Sequence, residues 1–288
     1  MWVLYALLAA VSSAAARTFM KSAADTADDR TIVFCRYAGA SMPAWLTLAV
    51  VGIPEIEPQF VPAILTACVT DVGALLLMSR ALRSTGMGKA VPLLALTPIF
   101  LLGSGLLILG EVPTVWGGVG VLIIVVGAYL LRLERDASSP LTPFRLLLED
   151  RGARYMMGTA LLFSLTGPFF KKSIIHSGPF FSMAVSLPLS GLVLFFVHVA
   201  SGGSARKLLP TELGKFTVAG LGLSMFGVAL FINLGLVTGL VSYVIAIKRL
   251  SILIGIVIGG VMFNEESVLR RLVAGAVMIG GAALITLT

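Results

Sequence analysis

The segment that decides the fold spans residues 81–111 and reads ALRSTGMGKAVPLLALTPIFLLGSGLLILGE. From position 90 to position 110 it is apolar, interrupted only by prolines, glycines, Thr97 and Ser104. A run of roughly 20 apolar residues is long enough to cross the hydrocarbon core of a membrane as a helix. Glu111 then marks the position where the chain returns to water. The segment therefore predicts a transmembrane helix.

The same pattern returns at residues 236–265 as LVTGLVSYVIAIKRLSILIGIVIGGVMFNE. Glu265 follows Glu111 by 154 positions, and Ser251 follows Thr97 by the same number. A constant offset between two such segments indicates an internal repeat. One structural element is therefore used twice in this chain.

The repeat predicts how the chain is organised. Ten transmembrane helices fit the hydropathy, over residues 1–17, 31–52, 59–80, 89–110, 114–132, 153–171, 178–200, 213–236, 242–263 and 268–287. They form two repeats of five spans, residues 1–132 and 152–288, joined by a polar link at 133–151. Because five is odd, the second repeat crosses the membrane in the opposite sense to the first. Inverted repeats of this kind are typical of secondary transporters.

The composition points to the same class of protein. Of 288 residues, 58% are hydrophobic and 12% are charged, against about 25% charged in an ordinary soluble domain. Most of the surface must therefore face lipid, which predicts an all-α polytopic membrane protein. The net charge of +7 belongs to basic residues beside the spans and does not indicate nucleic-acid binding.

Two long segments resemble a known family. ALRSTGMGKAVPLLALTPIF with LLILGE in the first half, and YVIAIKRLSILIGIVIGG with LVAGAVMIGGAAL in the second, are similar to the two EamA repeats of the drug/metabolite transporter superfamily. The resemblance covers essentially the whole chain. It implies a ten-helix carrier whose central cavity is lined by both repeats. Its members move amino acids, nucleosides, drugs or other small metabolites, so the resemblance does not select a substrate.

The distribution of lysine and arginine predicts the orientation. The loops after the odd-numbered spans hold sixteen of these residues, whereas the opposite loops hold only Lys171 and Lys172. The positive-inside rule then places the odd loops in the cytoplasm and both termini outside. The family resemblance implies termini inside, and we base the prediction on the charge count because the imbalance is so large.

Four charged residues fall inside predicted spans: Arg36, Asp71, Lys248 and Arg249. Charges at membrane depth are costly and usually face a polar cavity or a partner. Asp71 is either a proton-coupling or cation-binding carboxylate, or one half of a structural ion pair with Arg36 or Arg80. Lys248 and Arg249 point about 100° apart on a helix. We expect at least one of them to line the cavity, with snorkelling towards the headgroups as the alternative.

Several uncharged polar residues are further candidates for the binding site: Ser12, Ser13, Ser164, Thr166, Asn233 and Tyr243. Close packing of small residues explains the serines and the threonine equally well.

Four residues belong to the repeat motif. Glu111 and Glu265 each precede a span and are expected to meet the dipole at the N-terminus of the following helix. Arg17 and Lys171 are expected to end spans 1 and 6 as interfacial anchors.

Neither an enzyme signature nor a Walker phosphate-binding loop is present, so we predict no enzyme activity, no cofactor and no metal site. The predicted function is secondary transport of a small organic solute (an amino acid, organic ion or drug-like compound) across the cytoplasmic membrane by alternating access, with proton coupling left open. The alternatives are a carrier of lipids or lipid-linked headgroups, and a non-transporting scaffold or accessory subunit. The expected partners are the solute, protons and membrane lipid, in a monomer or homodimer.

Overall fold

The computed structural model describes residues 1–84, 91–132, 149–254 and 268–287. Within these ranges every predicted span corresponds to a helix, and no strand occurs. The helices are α1 (Trp2–Ala24), α2 (Asp29–Val51), α3 (Phe60–Ser84), α4 (Thr97–Leu109), α5 (Val115–Arg132), α6 (Arg151–Ile175), α7 (Pro179–Ala200), α8 (Lys215–Thr238), α9 (Val241–Lys248) and α10 (Val268–Thr286).

Several of the described helices have the length and hydropathy of membrane spans. Five helical stretches of at least 18 residues qualify by these two properties: Trp2–Ala24, Phe60–Ala81, Pro92–Leu109, Pro179–Ala200 and Lys215–Thr238. Two shorter apolar helices, Val115–Leu131 and Val273–Thr286, lie in α5 and α10. The prediction of a polytopic helical membrane protein is therefore confirmed.

Three helices, α1, α3 and α6, continue at least four residues past their predicted ends. α1 was expected to end at residue 17 but continues to Ala24, because its last turns pack into a core with α8. Phe19 fits against Gly220 of α8, and Ala23 is fully buried beside Leu221. α6 likewise continues beyond residue 171 to Ile175. Arg17 and Lys171 therefore lie inside helices instead of ending them.

Span 4 does not begin as a regular α-helix. The predicted span starts at residue 89, but the described chain forms a 3₁₀ helix at Val91–Leu96 and becomes α-helical only from Thr97. Pro98 lies in the first turn of α4, a position where its missing N–H removes no intrahelical hydrogen bond.

Span 9 is interrupted. It was predicted as one helix over residues 242–263, but α9 ends at Lys248. The N–H groups of Arg249 and Leu250 bond to the carbonyls three residues earlier, which is the tighter 3₁₀ pattern. Lys248 and Arg249 therefore lie at the end of a helix and not within one. Glu265 lies outside the described residues.

The helices group into two compact units. Unit 1 comprises Met1–Val72 and Phe169–Thr238. Within it α1 packs against α8, and α2 packs against α7 and α8. The crossing of α2 and α8 is close because glycines face each other: a Cβ on Gly39 would lie 2.9 Å from the Cα of Gly222.

Unit 2 comprises Gly73–Pro168 and Gly239–Thr288. Its best-packed pair is α5 with α10, where Gly120 meets the carbonyl of Gly281 so closely that a Cβ has no room. A second core joins Leu93 to Met156 of α6. Each unit thus contains residues from both halves of the sequence, and the division into two sequence repeats stays a prediction.

Candidate functional site

A group of polar side chains in unit 1 surrounds Asp71. This residue lies near the middle of α3, far from either end of the helix. The hydroxyl of Tyr37 on α2 donates a hydrogen bond to Oδ2 of Asp71 at 2.5 Å. Tyr37 is 5% exposed, so this hydrogen bond is largely shielded. A carboxylate at membrane depth is thereby held by a donor from a neighbouring helix.

Arg36 brings a positive charge to the same group. It interacts electrostatically with both Tyr37 and Asp71. Its Nη2 donates to Sδ of Met225 on α8 at 3.3 Å, while its Nε is buried without a hydrogen-bond partner among the described residues. The sequence left open whether Asp71 has a functional or a structural role. In either role, Tyr37 is a hydrogen-bond partner of its carboxylate.

Helix α7 forms another wall of this group. Cys68, one turn before Asp71 on α3, is fully buried and interacts with Ser190 of α7. Gly191 passes close to Tyr37, since a Cβ there would lie 3.3 Å from the Cβ of Tyr37. We call Arg36, Tyr37, Cys68 and Asp71 the Asp71 cluster. It draws on α2 and α3 and packs against α7 and α8.

Unit 2 contains two interrupted segments, at positions that the predicted repeat would make equivalent. The 3₁₀ helix Val91–Leu96 precedes α4, and the turn at Arg249 and Leu250 follows α9. The 154-residue offset relates Leu96 to Leu250. Nη2 of Arg249 donates to the carbonyl of Leu94 at 3.3 Å, so the two segments touch. In many secondary transporters, interrupted helices provide backbone groups that bind solutes and ions.

Tyr243 has a defined partner near the start of α5. Its hydroxyl accepts a hydrogen bond from the backbone N–H of Thr114 at 3.0 Å and lies 3.2 Å from the Thr114 hydroxyl. Gly117 leaves the space for this hydroxyl, because a Cβ there would overlap it. The geometry ties α9 to α5, and Tyr243 was predicted as a binding residue for its polarity alone.

Glu111 meets a helix N-terminus, but not the one expected. The sequence suggested the helix that follows it in the chain, which is α5. Instead its Oε2 accepts a hydrogen bond at 2.9 Å from the backbone N–H of Val241, the first residue of α9. The carboxylate therefore binds an N-terminus from the other half of the sequence.

The predicted serines of α1 lie in unit 1. Ser12 is packed against Gly227 of α8, where a Cβ would come 2.8 Å from the Ser12 hydroxyl. The hydroxyl of Ser13 is buried and has no hydrogen-bond partner in the described part of the chain. Asn233, also in unit 1, donates through Nδ2 to the carbonyl of Pro179 at 3.0 Å and so holds the first turn of α7.

The corresponding residues of α6 lie in unit 2. Ser164 and Thr166 are buried and donate to carbonyls of their own helix, at Leu161 and Leu162. Ser104 of α4 donates to the carbonyl of Ser164 at 2.5 Å. Of the remaining predicted residues, Lys248 and Lys171 are half-buried and Arg17 is exposed.

Tyr37 is the residue that the sequence reasoning missed. The signal was present, because a tyrosine hydroxyl buried in an apolar helix needs a hydrogen-bond partner. Its position directly after Arg36 placed it on a different face of α2 from the arginine. Only the packing of α3 against it identifies the partner.

The apolar helices, with polar groups held inside them, define a polytopic α-helical membrane protein. The model of the EamA-like transporter family matches residues 1–133. Residues 1–133 are therefore similar to the EamA-like transporters, and this similarity supports a transporter of small solutes.

Among the solved structures that match, one is similar over nearly the whole chain. It is a crystal structure of a protein that superposes with a TM-score of 0.79 at 15% identity, covering 99% of this chain and 96% of that chain. At this identity the likeness supports the fold and no more. No curated protein matches the sequence.

Proposed function

We propose that the chain is a secondary transporter that moves a small organic solute across the cytoplasmic membrane by alternating access, with Asp71 as the site of the coupling proton. The observation that carries this proposal is the hydrogen bond between Tyr37 and Asp71 in the interior of unit 1. Ionisable residues at membrane depth are costly to keep and are characteristic of proton and solute pathways.

The neighbours of Asp71 suit a carboxylate that changes its protonation state. When Asp71 is ionised, the Tyr37 hydroxyl donates to it and Arg36 lies within electrostatic reach. When Asp71 is protonated, its negative charge disappears and Arg36 is left without that counter-charge. Proton binding at one residue therefore changes the electrostatic environment of its neighbours on α2. Such a change is what a proton-coupled carrier needs to link protonation to solute binding.

The orientation follows from the charge count. Sixteen lysines and arginines lie in, or at the edges of, the segments between the predicted odd-numbered spans and the spans that follow them, which supports cytoplasmic odd loops and termini on the outer side of the inner membrane. Cysteines introduced at the two ends of the chain, and labelled from one side with a membrane-impermeant reagent, test this orientation independently of transport.

The proposed function is tested by uptake into proteoliposomes with an imposed pH gradient. Amino acids, organic anions and cationic drugs are screened as solutes. Asp71→Asn is compared with Asp25→Asn, which removes an exposed carboxylate from the loop between α1 and α2. We expect gradient-driven uptake of at least one solute by the wild type and by Asp25→Asn, and its loss in Asp71→Asn.

Two outcomes would contradict the proposal. Uptake that ignores the pH gradient would remove Asp71 as a coupling site and leave facilitated diffusion. Absence of flux for every solute, from protein shown to be folded, would favour a lipid carrier or a scaffold.

A further inference from the structure

The guanidinium of Arg36 has hydrogen-bonding capacity that the protein uses poorly. Its Nη2 donates to the thioether sulfur of Met225, and such a sulfur is a weak acceptor. Its Nε is buried and has no partner in the described ranges of the chain. Leaving a buried donor unsatisfied is unfavourable, and more so on a charged group. The guanidinium of Arg36 therefore has fewer hydrogen-bond acceptors around it than such a group normally binds.

An anionic group supplies what Arg36 lacks. Arginine presents five N–H donors in a planar fork, which binds the two oxygens of a carboxylate or phosphate together. Met225 is unbranched and flexible, so its side chain can turn away from the guanidinium at little cost. Arg36 lies about 10 Å from the start of α2, within the span predicted over residues 31–52. The helix thus offers a cationic fork inside a predicted span, where polar solute groups find few other partners.

We propose that Arg36 binds the carboxylate or phosphate group of the transported solute, and that this group replaces Asp71 as the counter-charge of the guanidinium. The inference rests on the proposed function, because it assigns the substrate class of the same cluster. Anion and proton then enter together: protonation of Asp71 removes the charge that competes with the solute. The other titratable groups in this cluster are Tyr37 and Cys68, and both are neutral in their ordinary protonated forms.

The first experiment compares anionic solutes with neutral partners of similar shape. Proteoliposomes are supplied with glutamate or glutamine, benzoate or benzamide, and glycerol phosphate or glycerol. The wild type is compared with Arg36→Met and with Arg206→Gln, which removes an exposed positive charge from the short 3₁₀ helix Ala205–Leu208 between α7 and α8. We expect uptake of the anionic member of at least one pair. Arg36→Met should lower that uptake about ten- to hundredfold, the loss that follows from one charged hydrogen-bonding partner, and Arg206→Gln should leave it unchanged.

The second experiment separates binding from folding. Removing Arg36 alone leaves Asp71 without its positive neighbour, and such a variant is prone to misfold. The double variant Arg36→Met with Asp71→Asn removes both charges and avoids that cost. We expect the double variant to fold without taking up the anion, and Asp71→Asn alone to take it up with an affinity that no longer depends on pH.

The results of these two experiments decide whether Arg36 binds the anionic group of the solute. Anion uptake at the wild-type rate by folded Arg36→Met, or by the double variant, would overturn the inference. So would proton-driven uptake restricted to cationic or neutral solutes, which would leave the proposed function intact. Absence of flux for all solutes from folded wild-type protein would instead contradict the proposed function, and the inference with it.

Discussion

The side chain of Glu111 and the backbone of Val241 are joined by a hydrogen bond of 2.9 Å, although they lie 130 residues apart in the chain. Glu111 follows the end of α4, and Val241 begins α9. The carboxylate thus satisfies an N–H group that has no partner within its own helix. It also places a negative charge at the positive end of the helix dipole.

Replacing Glu111 is expected to destabilise unit 2. Glu111→Ala removes the acceptor for the Val241 N–H, and the loss of a helix-capping side chain typically costs about 1 kcal/mol. Glu111→Gln keeps an amide oxygen and should retain part of the stability. Thermal unfolding in detergent measures the order, which we expect to be wild type, then Gln, then Ala. Equal melting temperatures for all three would show that the hydrogen bond contributes nothing.

Tyr37→Phe is expected to shift the pH dependence of transport. The Tyr37 hydroxyl donates to the Asp71 carboxylate, and such a bond favours the ionised form. Removing it makes Asp71 easier to protonate, so the pH profile of uptake should move to higher pH. The ring remains, so folding should be preserved. Tyr5→Phe on α1 serves as the control, and an identical profile for Tyr37→Phe and the wild type would contradict the role of this hydroxyl.

Asn233 is expected to act on stability more than on transport. Its amide donates to the carbonyl of Pro179, and side-chain hydrogen bonds within membranes contribute roughly 0.6 kcal/mol on average. Asn233→Ala should therefore lower the melting temperature by about 1–2 °C and leave the affinity for the solute unchanged. A changed affinity at unaltered stability would return Asn233 to the binding site, where the sequence had placed it.

The close glycine contact between α2 and α8 can be tested with one variant at the contact and a matched control variant on α4. Gly222→Ala would place a Cβ 2.8 Å from the Cα of Gly39, so the helices must separate, at a cost of about 1–3 kcal/mol. Gly103→Ala on α4 meets no atom within 4 Å and should stabilise its helix by about 0.5–1 kcal/mol. Opposite changes in melting temperature are the expected result. A Gly222→Ala protein as stable as the wild type would show that α2 and α8 accommodate the added methyl group without cost.

Hydropathy was sufficient to predict the helices of this protein. A membrane imposes a minimum apolar length on each span, and the prolines and charges of the loops mark the ends. The predicted spans therefore coincide with α1 to α10 to within a few residues at most ends. The exceptions are informative. α1 passes its predicted end because Phe19 and Ala23 find partners on α8, and hydropathy does not report such partners.

The interior of the spans was less predictable. The interruptions at Val91–Leu96 and after Lys248 are changes of hydrogen-bonding pattern inside apolar sequence, which leave no trace in hydropathy. The partners of Glu111 and Asp71 were also hidden. A carboxylate shows in the sequence that it needs a donor, but only the packed helices determine whether that donor is Val241 or Tyr37. The polar residues could be found from sequence, and their pairings could not.

The central claim is that solute movement is coupled to protonation of Asp71, and the most direct measurement is the internal pH of proteoliposomes when solute is added without an imposed gradient. We expect the interior to acidify as the solute enters through the wild-type protein or Asp25→Asn. Asp71→Asn, shown to be folded, should produce no pH change. Solute entry through the wild type at constant internal pH, or an equal pH change through Asp71→Asn, would contradict the claim.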